Sequence, residues 1–359
     1  MYERRSRRCC AAMLVVSVCL RVCMALGLDA AAVAAVSRMA QSREFARFML
    51  YLGTGAVARA EQPAELPHLW VLRMEQPQPT VEPVAAPQAE PPKETAPEPL
   101  ALPLASAEQL SIGGGCSYAV DKRQLLERVS ALSFSGDEPQ ILIIHTHGSE
   151  AYTPTDAEPY TESGSYRTLD AAQSVIRVGE VLAETLQERG IAVLHDRSLN
   201  DYPSYNDSYA TALTKLQQWK TLYPNLQMVI DVHRDAVEDA AGQAVALSAT
   251  QQGESCARLM LVVGTDQGGL NHPYWQENLA NALKLQAVLE GQYPGLCRDL
   301  DLRTERFNQH VTPGSLLVEV GSNGNTLEQA ERSARLLGDG LADMITALET
   351  NNGLLLPQG

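Results

Sequence analysis

Five short aliphatic runs constrain the fold more than anything else in this chain: Ile141–Ile144, Ile191–Leu194, Met228–Val232, Leu259–Val263 and Leu316–Val320. A strand with one face in water alternates apolar and polar residues, whereas near-continuous apolar runs of this length read as strands buried on both faces. Helical patterns separate them. Within Asp170–Arg189, Ala171, Val175, Val178, Leu182 and Leu186 recur at spacings of three and four, and Gly190 follows as a stop signal. Similar periodicity runs over Tyr205–Trp219, Trp275–Leu289 and Leu327–Leu348. Strands alternating with such helices predict a three-layer α/β fold, a mostly parallel twisted sheet with helices on both faces. Ligand sites in such sheets gather at the carboxyl ends of the strands.

Polar residues stand at three of those ends. The first run leads into His145-Thr146-His147-Gly148-Ser149-Glu150, and the third ends in Asp231-Val232-His233-Arg234-Asp235. The last carries Glu319 within Leu316–Val320. A hydrolytic zinc site needs about three protein ligands from His and carboxylate, with one position left for water, and a carboxylate nearby to move protons. His147-x-x-Glu150 places both side chains on one turn after a strand, a spacing shared with zinc carboxypeptidases. His233 would close the set from a neighbouring strand end, with Glu319 as acid/base. A single His-x-x-Glu is common by chance. A carboxylate on an otherwise apolar strand is not, because burying it unpaired costs several kcal/mol. His195 and His310 read as structural or solvated histidines in turns. The loop Gly264–His272 follows a strand, and its glycines suggest close approach of a polymer.

Several segments together resemble the stage II sporulation protein P family. They are Ile141-Leu-Ile-Ile-His-Thr-His-Gly-Ser-Glu-Ala-Tyr152, Tyr166-Arg-Thr-Leu-Asp170, His195-Asp196, Asp201-Tyr-Pro-Ser-Tyr-Asn206, Ile230-Asp-Val-His-Arg-Asp-Ala236, Gly268-Gly-Leu-Asn-His-Pro-Tyr-Trp275 and Pro313-Gly-Ser-Leu-Leu-Val-Glu-Val-Gly321. The resemblance runs from about Ser117 to Leu348. It implies a zinc-dependent N-acetylmuramoyl-L-alanine amidase related to the amidase 3 type, which cuts the amide between N-acetylmuramic acid and L-alanine in peptidoglycan. It also implies an endopeptidase activity on cross-links, a role in forespore engulfment, and the stage II sporulation proteins D and M as partners. Carried over by position, His233 matches the second histidine ligand and Glu319 the catalytic glutamate. His147 is the choice for the first histidine ligand. His145 competes for that place and is otherwise grouped with Glu319 and Arg234 as catalytic. The carboxylate ligand falls near Asp170 by the amidase 3 pattern, while the local spacing favours Glu150. Arg234 is expected either to grip a stem-peptide carboxylate in bidentate fashion or to pair with Asp231 or Asp235. The competing readings are a zinc peptidase acting on wall peptides and a non-catalytic wall-binding scaffold.

The rest of the chain places this unit. Arg4, Arg5, Arg7 and Arg8 precede an apolar stretch from Cys9 to Leu28, the pattern of a single membrane anchor held with its arginines in the cytoplasm, or of a signal sequence. A membrane-proximal helical segment is expected over 29–60. A Pro/Glu-rich linker follows over 61–112, where 11 of the 20 prolines lie between Pro63 and Pro103 and no core can form. The catalytic domain is set at 113–350, with a tail at 351–359. This layout puts the catalytic domain outside the membrane, facing the wall. A net charge of −15 argues against nucleic acid, which is bound through basic patches. Of seven cysteines, four lie in the first 23 residues and no Cys-x-x-Cys occurs, so no zinc ribbon, redox pair or disulfide scaffold is indicated.

Overall fold

The computed structural model describes residues 102–134 and 138–351. The basic and apolar start, the 29–60 segment, most of the linker and the tail lie outside the described residues. Among the described residues no helix is long and apolar enough to cross a membrane.

Seven strands form one sheet: β1 (Ile112–Gly113), β2 (Ile141–Ile144), β5 (Val193–His195), β6 (Met228–Asp235), β9 (Leu259–Gly264), β10 (Leu300–Arg303) and β11 (Gly314–Ser322). Two small hairpins stand apart, β3 (Glu162–Gly164) with β4 (Arg167–Thr168), and β7 (Ser248–Gln251) with β8 (Glu254–Ala257). The helices are α1 (Lys122–Glu127), α2 (Val175–Glu188), α3 (Ser208–Leu222), α4 (Trp275–Gln292) and α5 (Leu327–Asn351). The order across the sheet is β1-β10-β9-β11-β6-β2-β5, with every neighbouring pair parallel except β9–β11.

All five expected strands are present, and the mostly parallel three-layer arrangement holds. Ile141, Ile143, Ile230, Val232, Leu316, Val318 and Val320 face α2, α4 and α5 in one core. Leu142, Ile144, Leu194 and Val229 face Ala212, Leu216 and Trp219 of α3 in a second. Both faces of β2 are therefore dry, which explains its unbroken apolar run. The first core dominates. On α2 alone Val175, Ile176, Val178, Val181, Leu182 and Leu186 are buried, a gross apolar gain of roughly 10–15 kcal/mol before chain entropy is subtracted. Ser174 caps α2 by accepting from Ile176 N, and Gly190 ends it at φ +79°.

Three features depart from the sequence expectation. The body begins about ten residues before Gly113: Ala105, Ala107 and Leu110 are buried, and Ala105 N donates to Ala287 O at 2.9 Å. β10 and the β7–β8 hairpin, turned through Gln252 and Gly253 at positive φ, were not anticipated. Lastly, β9 runs against β11, with Leu259 opposite Val320 and Val262 opposite Leu317. Its carboxyl end at Gly264 thus lies at the sheet edge away from Glu319, and the Gly264–His272 loop does not share the edge where the polar strand ends meet.

A candidate metal centre at the carboxyl ends of three strands

β2, β6 and β11 lie side by side and parallel, so their carboxyl ends open on one edge. After Ile144 the chain leaves the strand in a turn closed by Glu150 N donating to His147 O at 3.0 Å. That turn brings His147 and Glu150 together, with Nδ1 3.4 Å from Oε1. From β6, His233 Nδ1 lies 3.3 Å from Glu150 Oε2. The three donor atoms of His147, Glu150 and His233 all fall within 4.8 Å of one another. Glu319 is the register partner of His233 on β11 and shares its face of the sheet.

The far sides of the two imidazoles are held. His147 Nε2 sits 3.0 Å from Ser208 Oγ at the start of α3. His233 Nε2 lies 3.0 Å from Asp231 Oδ1. Asp231 is itself fixed by Thr146, which donates through its N at 2.8 Å and its Oγ1 at 2.5 Å. Each histidine therefore turns Nδ1 inward, and the other nitrogen of His147 meets a hydroxyl, the outer support that orients metal-ligating imidazoles, while Asp231 approaches His233 Nε2 as a charge contact outside hydrogen-bond geometry. The ring of His147 is stacked on Tyr205 at 4.7 Å and meets Tyr209 edge-on at 5.6 Å.

The charges are arranged to suit. Burial opposes ionisation of Glu150, but hydrogen bonds with His147 and His233 and the charges of His233 and Arg234 hold its carboxyl well below the usual range. Burial likewise opposes a charged His233, yet Asp231 and Glu150 outweigh it and hold the imidazole well above its ordinary value. A cation bound at the inward side of His233 would compete with a proton there. Glu319 behaves oppositely. Burial first, then Glu150 and Asp235, push its carboxyl up to about 8 against the pull of His233 and Arg234. Its Oε2 is buried with no hydrogen-bond partner among the described residues. Two imidazoles and a carboxylate with supported outer sides fit a zinc ion, and the residues present match that demand.

His145 is not in this cluster. Its ring lies on the opposite face of the sheet, with Nδ1 3.0 Å from Val232 O and Nε2 2.8 Å from His195 Nε2. His195 is correspondingly buried at the end of β5 rather than solvated in a turn. Arg234 is also committed elsewhere. Its Nε donates to Ala151 O at 2.9 Å and its Nη2 to Tyr166 O at 2.8 Å. It pairs with neither Asp231 nor Asp235, and Asp235 instead binds Arg298 at 2.7 Å. By strand alternation Arg234 faces away from His233, which accounts for its absence from the site. Asp170 is exposed and caps the turn at Ala171–Gln173 by accepting from Ala172 N.

Residues without an assigned role complete the surroundings. Arg167 reaches Asp201 Oδ2 at 2.8 Å and Glu150 Oε1 at 3.4 Å, and lies 4.7 Å from the Tyr205 ring centroid. Asp201 also accepts from Ser149 Oγ at 2.5 Å, pinning the turn that carries Glu150. Their only sequence signal was membership in the motifs around Tyr166–Asp170 and Asp201–Asn206.

The match to known proteins decides the family. The family model described as stage II sporulation protein P matches residues 74–342. The chain belongs to the stage II sporulation protein P family. Stage II sporulation protein P of Bacillus subtilis (strain 168) is 29% identical over 238 residues, covering 61% of this chain and 54% of that protein. The chain therefore spans about half the length of that curated relative. Similar solved structures include the N-acetylmuramoyl-L-alanine amidase AmiC2 of Nostoc punctiforme, at 14% identity, 58% and 97% coverage and a TM-score of 0.33. Another is Ami1 of Mycobacterium smegmatis, at 13% identity, 59% and 99% coverage and a TM-score of 0.34. The CwlD amidase of Clostridioides difficile, solved with the GerS lipoprotein, shows 13% identity, 58% and 98% coverage and a TM-score of 0.33. At such identities and scores nothing about activity follows from these likenesses.

Proposed function

We propose that this chain is a zinc-dependent N-acetylmuramoyl-L-alanine amidase of the cell wall, anchored by its N-terminal segment with the catalytic body facing the wall. The observation that carries the reading is the meeting of His147, Glu150 and His233 donors within 4.8 Å beside Glu319, whose Oε2 is buried with no hydrogen-bond partner among the described residues. His147, Glu150 and His233 are the residues that would hold zinc, which supplies a Lewis acid and acidifies water near neutral pH. Glu319 accepts the proton of the attacking water at Oε2 and returns it to the departing amide nitrogen, general acid–base work suited to a carboxyl poised near working pH. Asp231 and Ser208 keep the two imidazoles aligned, while Arg234 and Arg167 hold the Glu150 turn in place.

Family membership supports the choice of peptidoglycan as substrate and a place in sporulation. Forespore engulfment together with the stage II sporulation proteins D and M is part of the same proposal. Digestion of purified muropeptides, with products resolved by mass, tests it. Glycan strands freed of intact stem peptides are expected. Shortened peptides with the sugar–peptide amide intact would identify a peptidase, and no product from a metal-loaded protein would identify a wall-binding scaffold.

A further inference from the structure

The chemistry above uses neither ring of the buried pair His145 and His195, yet both are enclosed beneath α2 at 0% and 1% exposure. Their hydrogen bonds assign their protons. Val232 O only accepts, so His145 Nδ1, 3.0 Å away, carries a hydrogen. His145 Nε2 is then the acceptor in the 2.8 Å contact, and His195 Nε2 donates. His195 Nδ1 is left as a bare lone pair, buried with no partner among the described residues. The result is one directed chain, His195 to His145 to the backbone of β6.

The ends of this chain of bonds touch the candidate metal centre from behind. Val232 immediately precedes His233. His145 precedes Thr146, which holds Asp231, and His147 follows. The carbonyl of His145 also accepts from Asn200 Nδ2 at 2.9 Å. Gly179 of α2 makes room for both rings: a Cβ there would fall 2.5 Å from His145 Cε1, 2.6 Å from its Nε2 and 2.9 Å from His195 Nε2. Such contacts leave space for nothing larger than glycine.

We infer that His145 and His195 form a positioning pair that locks the turn bearing His147 against the strand bearing His233. This rests on the metal reading above. The rival explanation is plain core filling, and the two differ in what they ask of residue 195. Core filling needs only volume, which leucine supplies. Positioning needs a donor near Nε2, which glutamine supplies and leucine lacks.

The test uses the full chain. In metal-free protein with 15N-labelled histidine, long-range 1H–15N correlations should show His145 protonated at Nδ1 and His195 at Nε2. The reverse assignment, or averaging between tautomers, would overturn the directed chain. In cobalt(II)-loaded protein, His195→Leu should fold, shift the visible absorption bands and weaken metal retention about 10–100-fold, the usual effect of losing an outer support. His195→Gln should lie much nearer to wild type on both readouts. If the Leu variant folds with a wild-type cobalt spectrum and retention, the pair is core filling and the inference fails alone. If wild type itself binds no cobalt, the metal reading fails and the positioning role with it, whatever the tautomers show.

Discussion

Replacing Arg234 with methionine separates a structural arginine from a substrate-binding one. The side chain is buried and its two well-formed hydrogen bonds go to backbone carbonyls, Ala151 O at 2.9 Å and Tyr166 O at 2.8 Å. Methionine preserves most of the packed stem but donates nothing. A buried acceptor left unsatisfied costs about 1–3 kcal/mol. Tyr166 O keeps a second donor, Ala151 N at 2.9 Å, so its loss belongs at the lower end. The sum is a destabilisation of about 2–4 kcal/mol, or roughly 5–15 °C in Tm for a body of this size. Arg234 N also sits 3.3 Å from Glu150 Oε2, so loosening this strand end should weaken metal retention too. Urea denaturation, thermal scans and metal content of Arg234→Met, with Arg234→Lys beside it, read these effects. Lysine keeps the charge but cannot span both carbonyls, and should recover only part of the loss. A folded Arg234→Met protein with Tm unchanged, metal retained and KM raised would refute the structural account and return Arg234 to the substrate.

Three further outcomes are expected. Glu319→Gln should keep zinc yet lose amide hydrolysis by about 10²–10⁴-fold, whereas His233→Ala should lose zinc and activity together, as elemental analysis beside wall digestion will show. In metal-stripped protein the folded pKa of Glu319 (about 8) lies above its ordinary value of 4.5. Its stabilising contribution is therefore full below that ordinary value and is lost as pH rises through the folded one. The stability advantage of Glu319→Gln over wild type should accordingly grow from pH 5 to pH 8, by roughly 3 kcal/mol, and a pH-independent difference in urea melts would count against the assignment. Protease added to intact protoplasts should release the catalytic body, and its full protection would place the body on the cytoplasmic side.

Much of the candidate site was legible because its residues stand next to features that sequence patterns report well. His147, His233 and Glu319 each follow or interrupt an apolar run, and Glu150 lies one turn from His147. Less was legible where side-chain direction mattered. His145 and His147 sit two apart, which on a continuing strand would point both the same way. The chain turns after Ile144, so His145 goes under α2 while His147 swings to the edge. Arg167 and Asp201 come from segments whose polar residues look like any loop, and nothing local says that both converge on the turn carrying Glu150.

The sequence by itself determined that this chain builds a buried, mostly parallel sheet, because runs such as Ile141–Ile144 are stable only with apolar cover on both faces. It also determined which strands end in chemistry, since an ionisable residue such as Glu319 is costly inside such a run. Only the tertiary structure decided that β9 reverses, moving the Gly264–His272 loop to the far edge: an apolar run reads the same in either direction. It alone decided that Arg234 belongs to the frame and His145 to the core. Both outcomes depend on which backbone carbonyls and helix faces come within 3 Å of a side chain, and that is fixed by packing between segments far apart in the chain.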